Sequence, residues 1–265
     1  MNRRSILASI IGLALSGAAI FHTPALADSS LKVGVSAGPY GDILREAAKL
    51  AEKDGLRVEV IEFSDWNQPN AALDAGEIDL NAFQHKPYLD NQIKARGYKL
   101  VALDKAISVP GGIWSAKVKS LADLPEGARL GIPNDPTNGT RGLFLFQQAG
   151  VIKLDPAAGT NASVLDITEN PKNVTFVELD AAQLPRSLDD LDASFVSNNY
   201  AHLAGLKRED ALITEGTDSV WAIIFAARDD RQNDPNIKKY ITLYRSEPIR
   251  AFIEQKFEGS ILPAF

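Results

Sequence analysis

The sequence of 265 residues predicts an α/β protein of two lobes, joined by two crossing strands, with a cleft between them. Three observations carry the prediction. Strand, helix and strand patterns alternate from Leu31 onward, and the same alternation starts again near Ala128. The apolar run 221–227 then leads back toward the first series. Beyond an N-terminal leader the chain keeps roughly 240 residues, more than the 100–150 typical of one domain.

In the first series, residues 31–35 are a β-rich run and 36–41 a turn. Residues 42–53 place Ile43, Leu44, Ala47, Leu50 and Ala51 at helical spacing. Gly55 closes that helix, and 56–63 alternate as a strand. A second helix opens at Gln68-Pro69-Asn70 and stops at Gly76, a short strand covers 77–82, and another helix lies within 84–97. Residues 112–117 read as a strand leading out of this lobe. A capped turn at 120–125 and a strand at 128–132 begin the second series, which continues with strand 174–179, helix 183–188 and strand 193–196. Terminal helices are expected at 237–244 and 247–257. The expected division is a leader at 1–27, lobe 1 from 28–116 with 224–265, and lobe 2 from 117–223. Strand order of this kind implies a parallel sheet, with ligands at the strand carboxyl ends.

Asn2-Arg3-Arg4, the apolar run 6–21 and the small-x-small triplet Ala25-Leu26-Ala27 form the pattern of a secretory signal peptide, with cleavage expected before Asp28. The sequence contains no cysteine, which excludes a disulfide scaffold, a thiol nucleophile, a cysteine metal site and a lipid on a cysteine. Losing Arg3 and Arg4 from 28 basic residues leaves 26 against 34 acidic ones, a net charge of −8. An acidic chain of this kind does not suit nucleic acid or an anionic membrane. The histidines are His22, His85 and His202, with no metal-ligand spacing among them, so no metal or other cofactor is expected.

The segment Gly131-Ile132-Pro133-Asn134-Asp135-Pro136-Thr137-Asn138-Gly139-Thr140-Arg141 reads as a strand end, a turn rich in cap-type residues and a helix running on through Gln147. An open helix N-terminus offers backbone N–H groups and a positive dipole end, and an arginine adds a bidentate cation. The residues allow a small-carboxylate receptor or an ordinary capped helix with a solvated arginine. The segment 82–90 sets Phe83, His85 and Tyr88 around Pro87, just after a strand. Trp66, Trp114 and Trp221 also fall near strand ends, where aromatics serve either as core or as pocket walls. Asn198-Asn199-Tyr200 follows a buried-looking strand and reads as a turn or as a donor–acceptor pair for a ligand.

Phe63 to Asn70, Phe83 to Asp90, Pro133 to Arg141, Asp166 to Asn173, Gln183 to Arg186 and Ile261 to Phe265 together resemble, in that order, the methionine-binding proteins of bacterial ABC importers, the NlpA lipoprotein family. The resemblance covers nearly all of the chain after the leader. It implies a periplasmic-binding-protein fold, type II-like, that closes around one small-molecule ligand as a monomer and presents it to an ABC permease and its ATPase. The family's carboxylate-binding arginine falls on Arg141, its pocket aromatics on Phe83, Tyr88 and Trp66, its histidine on His85, and its asparagine on Asn199 with Asn198 beside it. Trp221 is expected as a further wall. Without a lipid-acceptor cysteine, the resemblance implies a soluble periplasmic version. The return segment, commonly Ser-Pro-Tyr-x-Asn, is here Ser219-Val220-Trp221-Ala222-Ile223, which replaces an asparagine with Ile223. That change keeps a short peptide, a sulfonate or another small acid open as the ligand beside methionine. An enzyme using His85 as acid or base is the third reading, and no nucleophile–base–orienter set supports it.

Overall fold

A computed structural model describes residues 30–216 and 220–265; the expected leader lies outside them. The chain opens with β1 (Ser30–Ser36), α1 (Tyr40–Lys53), β2 (Arg57–Phe63), α2 (Gln68–Asp74), β3 (Leu80–His85), α3 (Lys86–Arg96) and β4 (Leu100–Ser108). It continues with β5 (Gly112–Trp114), β6 (Arg129–Pro133), α4 (Pro136–Gln148), β7 (Lys153–Leu154), β8 (Ile167–Glu169) and β9 (Thr175–Leu179). Then follow α5 (Leu184–Ser187), β10 (Ala193–Val196), α6 (Asn198–Leu203), β11 (Ile213–Thr214), β12 (Ile223–Arg228), α7 (Pro235–Tyr244), α8 (Glu247–Phe257) and β13 (Leu262–Pro263).

Two main sheets result, in the orders β13-β4-β12-β3-β1-β2 and β11-β5-β10-β6-β9, with β7 and β8 as a separate pair. β1 is parallel to β2 and β3, and β6 is parallel to β9 and β10. The sheets are mixed, not parallel throughout. β12 comes back from the other sheet and runs antiparallel to β3 and β4, and β5 is antiparallel to β10 and β11. The expected lobe boundary also shifts. Gly112–Trp114 hydrogen-bonds into the second sheet, whereas Ile223 pairs with His85 in the first. A three-residue strand carries no sequence mark of which sheet it joins, because its partners are far along the chain. β4 was not expected: its exposed middle, Asp104 and Lys105, interrupts the apolar pattern of an otherwise half-buried strand.

Each sheet is covered on both faces, and strand alternation assigns the sides. In β12, Ile223, Phe225 and Ala227 pack with Ile43 and Leu44 of α1, Tyr240 of α7 and Ile253 of α8, while Ile224 and Ala226 face Leu73 of α2 and Leu89 of α3. In β10, Phe195 meets Leu143 and Phe146 of α4, and Val196 meets Leu184 of α5 and Tyr200 of α6. The two crossings between sheets are themselves paired: the Glu215 backbone N–H donates to Gly111 O at 3.0 Å, and the Gly111 N–H donates to the Glu215 carboxylate at 2.6 Å. Gly139 lets α4 press on the end of β6, since a Cβ there would lie 2.9 Å from Pro133 O.

Candidate functional site

The strand ends of both sheets meet at a pocket lined by residues of both. From the first sheet come Tyr40 at the start of α1, Trp66 after β2, Phe83, Gln84 and His85 of β3, and Tyr88 of α3. From the second come Asn138 and Arg141 of α4, with Ser197, Asn198 and Asn199 at the start of α6. Val109 and Ile223 close it from the crossings. Seven of the expected residues, Arg141, Phe83, His85, Tyr88, Trp66, Asn199 and Asn198, therefore stand around one space. Trp221 does not line it; its ring stacks edge-on against His85 at 4.9 Å and sits 6.0 Å from the Arg141 guanidinium, behind both.

The walls are built by aromatic contacts across and within the lobes. Trp66 and Tyr200 lie 5.0 Å apart across the cleft, and Tyr88 holds edge-on contacts with Trp66, Phe83 and His85 at 6.0–6.3 Å. The Tyr88 hydroxyl donates to Trp66 O at 3.1 Å, fixing the loop that carries the indole. Gln84 is stiffened from behind by a buried amide cluster in which it exchanges hydrogen bonds with Asn70 at 2.6 and 2.7 Å and donates to Asn81 at 3.0 Å.

α4 departs from the expected open helix end. Asp135 caps it: its carboxylate accepts from the Asn138 N–H at 2.9 Å, the Thr137 hydroxyl at 2.9 Å and the Asn138 side-chain amide at 3.1 Å. The residue that starts the helix thus consumes donors that a ligand was expected to use. Burial raises the Asp135 carboxyl above its ordinary value.

Arg141 is also differently engaged from the expectation of a fork left wholly to a ligand. Only 4% of its side chain is exposed, and burying a guanidinium requires a partner. Glu215 supplies it: Nε donates to Oε1 at 2.6 Å and Nη2 to Oε2 at 2.5 Å, while Nη2 also donates to Val109 O at 2.9 Å. Phe195 flanks the guanidinium at 5.7 Å. With Nε and Nη2 committed, Nη1 is the nitrogen that remains for the cavity. The arginine therefore ties both crossings to α4 and presents one edge, not a fork.

His85 has a determined protonation pattern. The Tyr88 N–H donates to Nδ1 at 3.1 Å, so Nδ1 is an acceptor and Nε2 carries the proton. Nε2 then donates across the cleft to Asn138 Oδ1 at 3.0 Å, and Asn138 passes the polarity on to Asp135. Burial, and then the Arg141 charge, push the imidazole down to about 3, so it is neutral. Two further bonds join the lobes away from the cavity floor: Asn198 Nδ2 donates to Ser260 O at 3.0 Å, and Arg208 donates to Gly259 O at 2.8 Å. Asn198 is thus a latch as well as a lining residue. Three buried donors at the cavity, Trp66 Nε1, Ser197 Oγ and Asn199 Nδ2, have no hydrogen-bond partner.

Sequence reasoning located the segments but missed Tyr40, Gln84, Val109, Asn138, Ser197 and Glu215. A buried arginine calls for an acid, yet nothing near residue 215 distinguishes it from the other acids. Among the described residues no cluster of histidines and carboxylates could hold a metal, and no helix is long and apolar enough to cross a membrane.

Comparison with known proteins gives the geometry its context. The NlpA lipoprotein family matches residues 31–265. The D-methionine-binding lipoprotein MetQ of Yersinia pestis is 44% identical over 237 residues, 88% of each chain. A nutrient-binding protein from Burkholderia cenocepacia, solved bound to methionine, is 49% identical with a TM-score of 0.86, covering 89% of this chain and all of that one. A periplasmic substrate-binding protein of an ABC transporter from Coxiella burnetii is 42% identical with a TM-score of 0.85, over 88% of this chain and all of that one. The two-lobed α/β fold is that of these binding proteins. One expectation is overturned: a freely soluble, lipid-free chain conflicts with relatives and a family that are named lipoproteins. The absence of cysteine led to that expectation, but it removes only the usual acceptor and does not exclude membrane attachment. With the family match running from the first described strand to the last residue, the chain belongs to the NlpA lipoprotein family.

Proposed function

We propose that this protein is the substrate-binding component of an ABC importer, capturing methionine as a monomer in the cleft between its two lobes and presenting it to the permease and ATPase. Export by the leader at 1–27 belongs to the same reading. The observation that carries it is a pocket lined from both lobes, which sets one cationic edge beside an aromatic wall. The ligand carboxylate would meet Arg141 Nη1 and the unpartnered donors of Ser197 and Asn199. The thioether chain would lie among Trp66, Phe83 and Tyr88, where sulfur–aromatic contacts are favourable. Micromolar capture needs about 8 kcal/mol, within reach of one charge-assisted contact, several hydrogen bonds and an apolar pocket. The names of the relatives support the choice of methionine.

His85 is not suited to acid–base catalysis, because both ring nitrogens are already bonded within the protein. A binding role leaves its geometry useful: it joins the lobes when they close. Ile223, apolar and 4% exposed at the cavity, is the observation that favours a second reading, another small acid in place of methionine. Calorimetry on protein stripped of ligand by unfolding and refolding tests both, with L- and D-methionine, a panel of amino acids and small organic acids as titrants. Micromolar or tighter binding of methionine over the panel is expected. Binding of an acid from the panel with no heat from either methionine would reject the first reading in favour of the second.

A further inference from the structure

Resting on the reading of this cleft as an amino-acid site, we propose that Glu215 is the residue that sets the net charge of the accepted ligand, selecting a zwitterion over an anion that carries the same carboxylate and side chain. Arg141 is the one charged side chain among the described residues that line the cavity. It is not a free cation. Glu215 holds it through two hydrogen bonds, with both side chains at least nine-tenths buried, so the unit presented to the ligand is already neutral. The next carboxylate, Asp135, stands behind Asn138 and adds no positive charge. A ligand carboxylate can still reach the Nη1 edge. However, an anion brought there leaves the buried group with a net negative charge, which a low-dielectric site resists. An ammonium on the same ligand restores neutrality, with the Glu215 carboxylate as the compensating charge.

Glu215 acts here through Arg141 and through its field, so it is a specificity-determining and positioning residue. Its location also explains why it can serve: its own backbone and side chain are bonded to Gly111, so the charge is fixed where the two crossings meet. Rejection of anions by an internal carboxylate is a repulsive element of the kind that specificity commonly requires.

The test compares L-methionine with its hydroxy analogue, 2-hydroxy-4-(methylthio)butanoate, which keeps the carboxylate and thioether but carries a net charge of −1. Calorimetry on the wild type is expected to give at least a tenfold preference for methionine. In Glu215→Gln, which keeps the shape and leaves Arg141 charged, the preference is expected to shrink at least tenfold, mainly because the anion binds more tightly. Glu215→Asp keeps the charge and is expected to retain the wild-type preference even if both affinities fall. An unchanged ratio in folded Glu215→Gln, or loss of the ratio in Glu215→Asp, overturns the proposal. If Glu215→Gln does not fold, the wild-type ratio decides: near-equal affinities overturn it, and a large preference kept in Glu215→Asp supports it. Binding of neither compound by the wild type would sink the amino-acid reading and this inference with it.

Discussion

Arg141→Ala separates the two tasks that the structure places on one side chain. The substitution removes two bonds to Glu215 and one to Val109 O, and leaves the Glu215 carboxylate with the Gly111 N–H as its remaining donor in a site where it is one-tenth exposed. Breaking a buried ion pair by deleting one partner costs about 3–5 kcal/mol, most of it the penalty on the charge left behind. Glu215→Ala should cost a similar amount through the unpaired guanidinium. The double variant Arg141→Ala/Glu215→Ala leaves neither charge and should cost well under the sum, giving a coupling of at least about 2 kcal/mol. Urea unfolding of ligand-free protein, followed by circular dichroism, measures all three. Binding should behave differently. The double variant regains stability but not methionine, because Nη1 is gone; a lost charge-assisted contact is worth about 1.5–3 kcal/mol, or roughly ten- to a hundredfold in affinity. Additive stability losses would refute the coupled-pair account. Full affinity in the double variant would refute Arg141 as the anchor.

Three further outcomes are expected. His85 is held near 3 when folded against an ordinary 6.5, so the unfolded chain binds the extra proton between those values and stability falls as pH drops from 6.5 toward 3; at pH 5 its share of the loss is about 2 kcal/mol. Urea midpoints at pH 7.5 and 5.0 should show that loss in the wild type and a smaller one in His85→Gln, and equal losses would count against it. Ser197→Ala removes a buried hydroxyl that has no partner, so the ligand-free protein should be as stable or up to about 1 kcal/mol more stable while methionine binds more weakly; a stability loss above that scale would show that the hydroxyl is already satisfied. Ile223→Asn places a polar amide at the cavity and should tighten methionine roughly tenfold or more, a gain that calorimetry reads directly and whose absence would remove Ile223 as the cause of any weakened affinity.

The segments that build the site were legible because turns announce themselves. Pro133 to Arg141 and Phe83 to Asp90 combine proline, asparagine and histidine at strand ends, and the structure sets both at the cavity. What the side chains do there was less legible. Asp135 looked like one more cap-type residue beside an open helix end, whereas capping is what closes that end. Glu215 is 74 positions from Arg141, and ion pairs at that separation leave no local pattern. Trp221 satisfied the expectation of an aromatic near a strand end, yet ring packing behind His85 and Arg141 needs the third dimension to see. The sheets followed the same rule: local alternation marked most strands, while β5 and β12 were placed by partners that only the return of the chain supplies.

The bonds that the protein makes with itself across the cleft carry a consequence for transport. His85 with Asn138, Asn198 with Ser260 and Arg208 with Gly259 form between the protein's own atoms. At roughly 0.5–1.5 kcal/mol each, they favour the shut shape even in an empty molecule. A ligand then needs to shift the balance less far, which tightens capture at low supply. The same bias raises the share of empty molecules that resemble loaded ones, so the membrane partner faces more false signals per true delivery. Scavenging power and signalling contrast are therefore set against each other by three hydrogen bonds that the protein makes with itself.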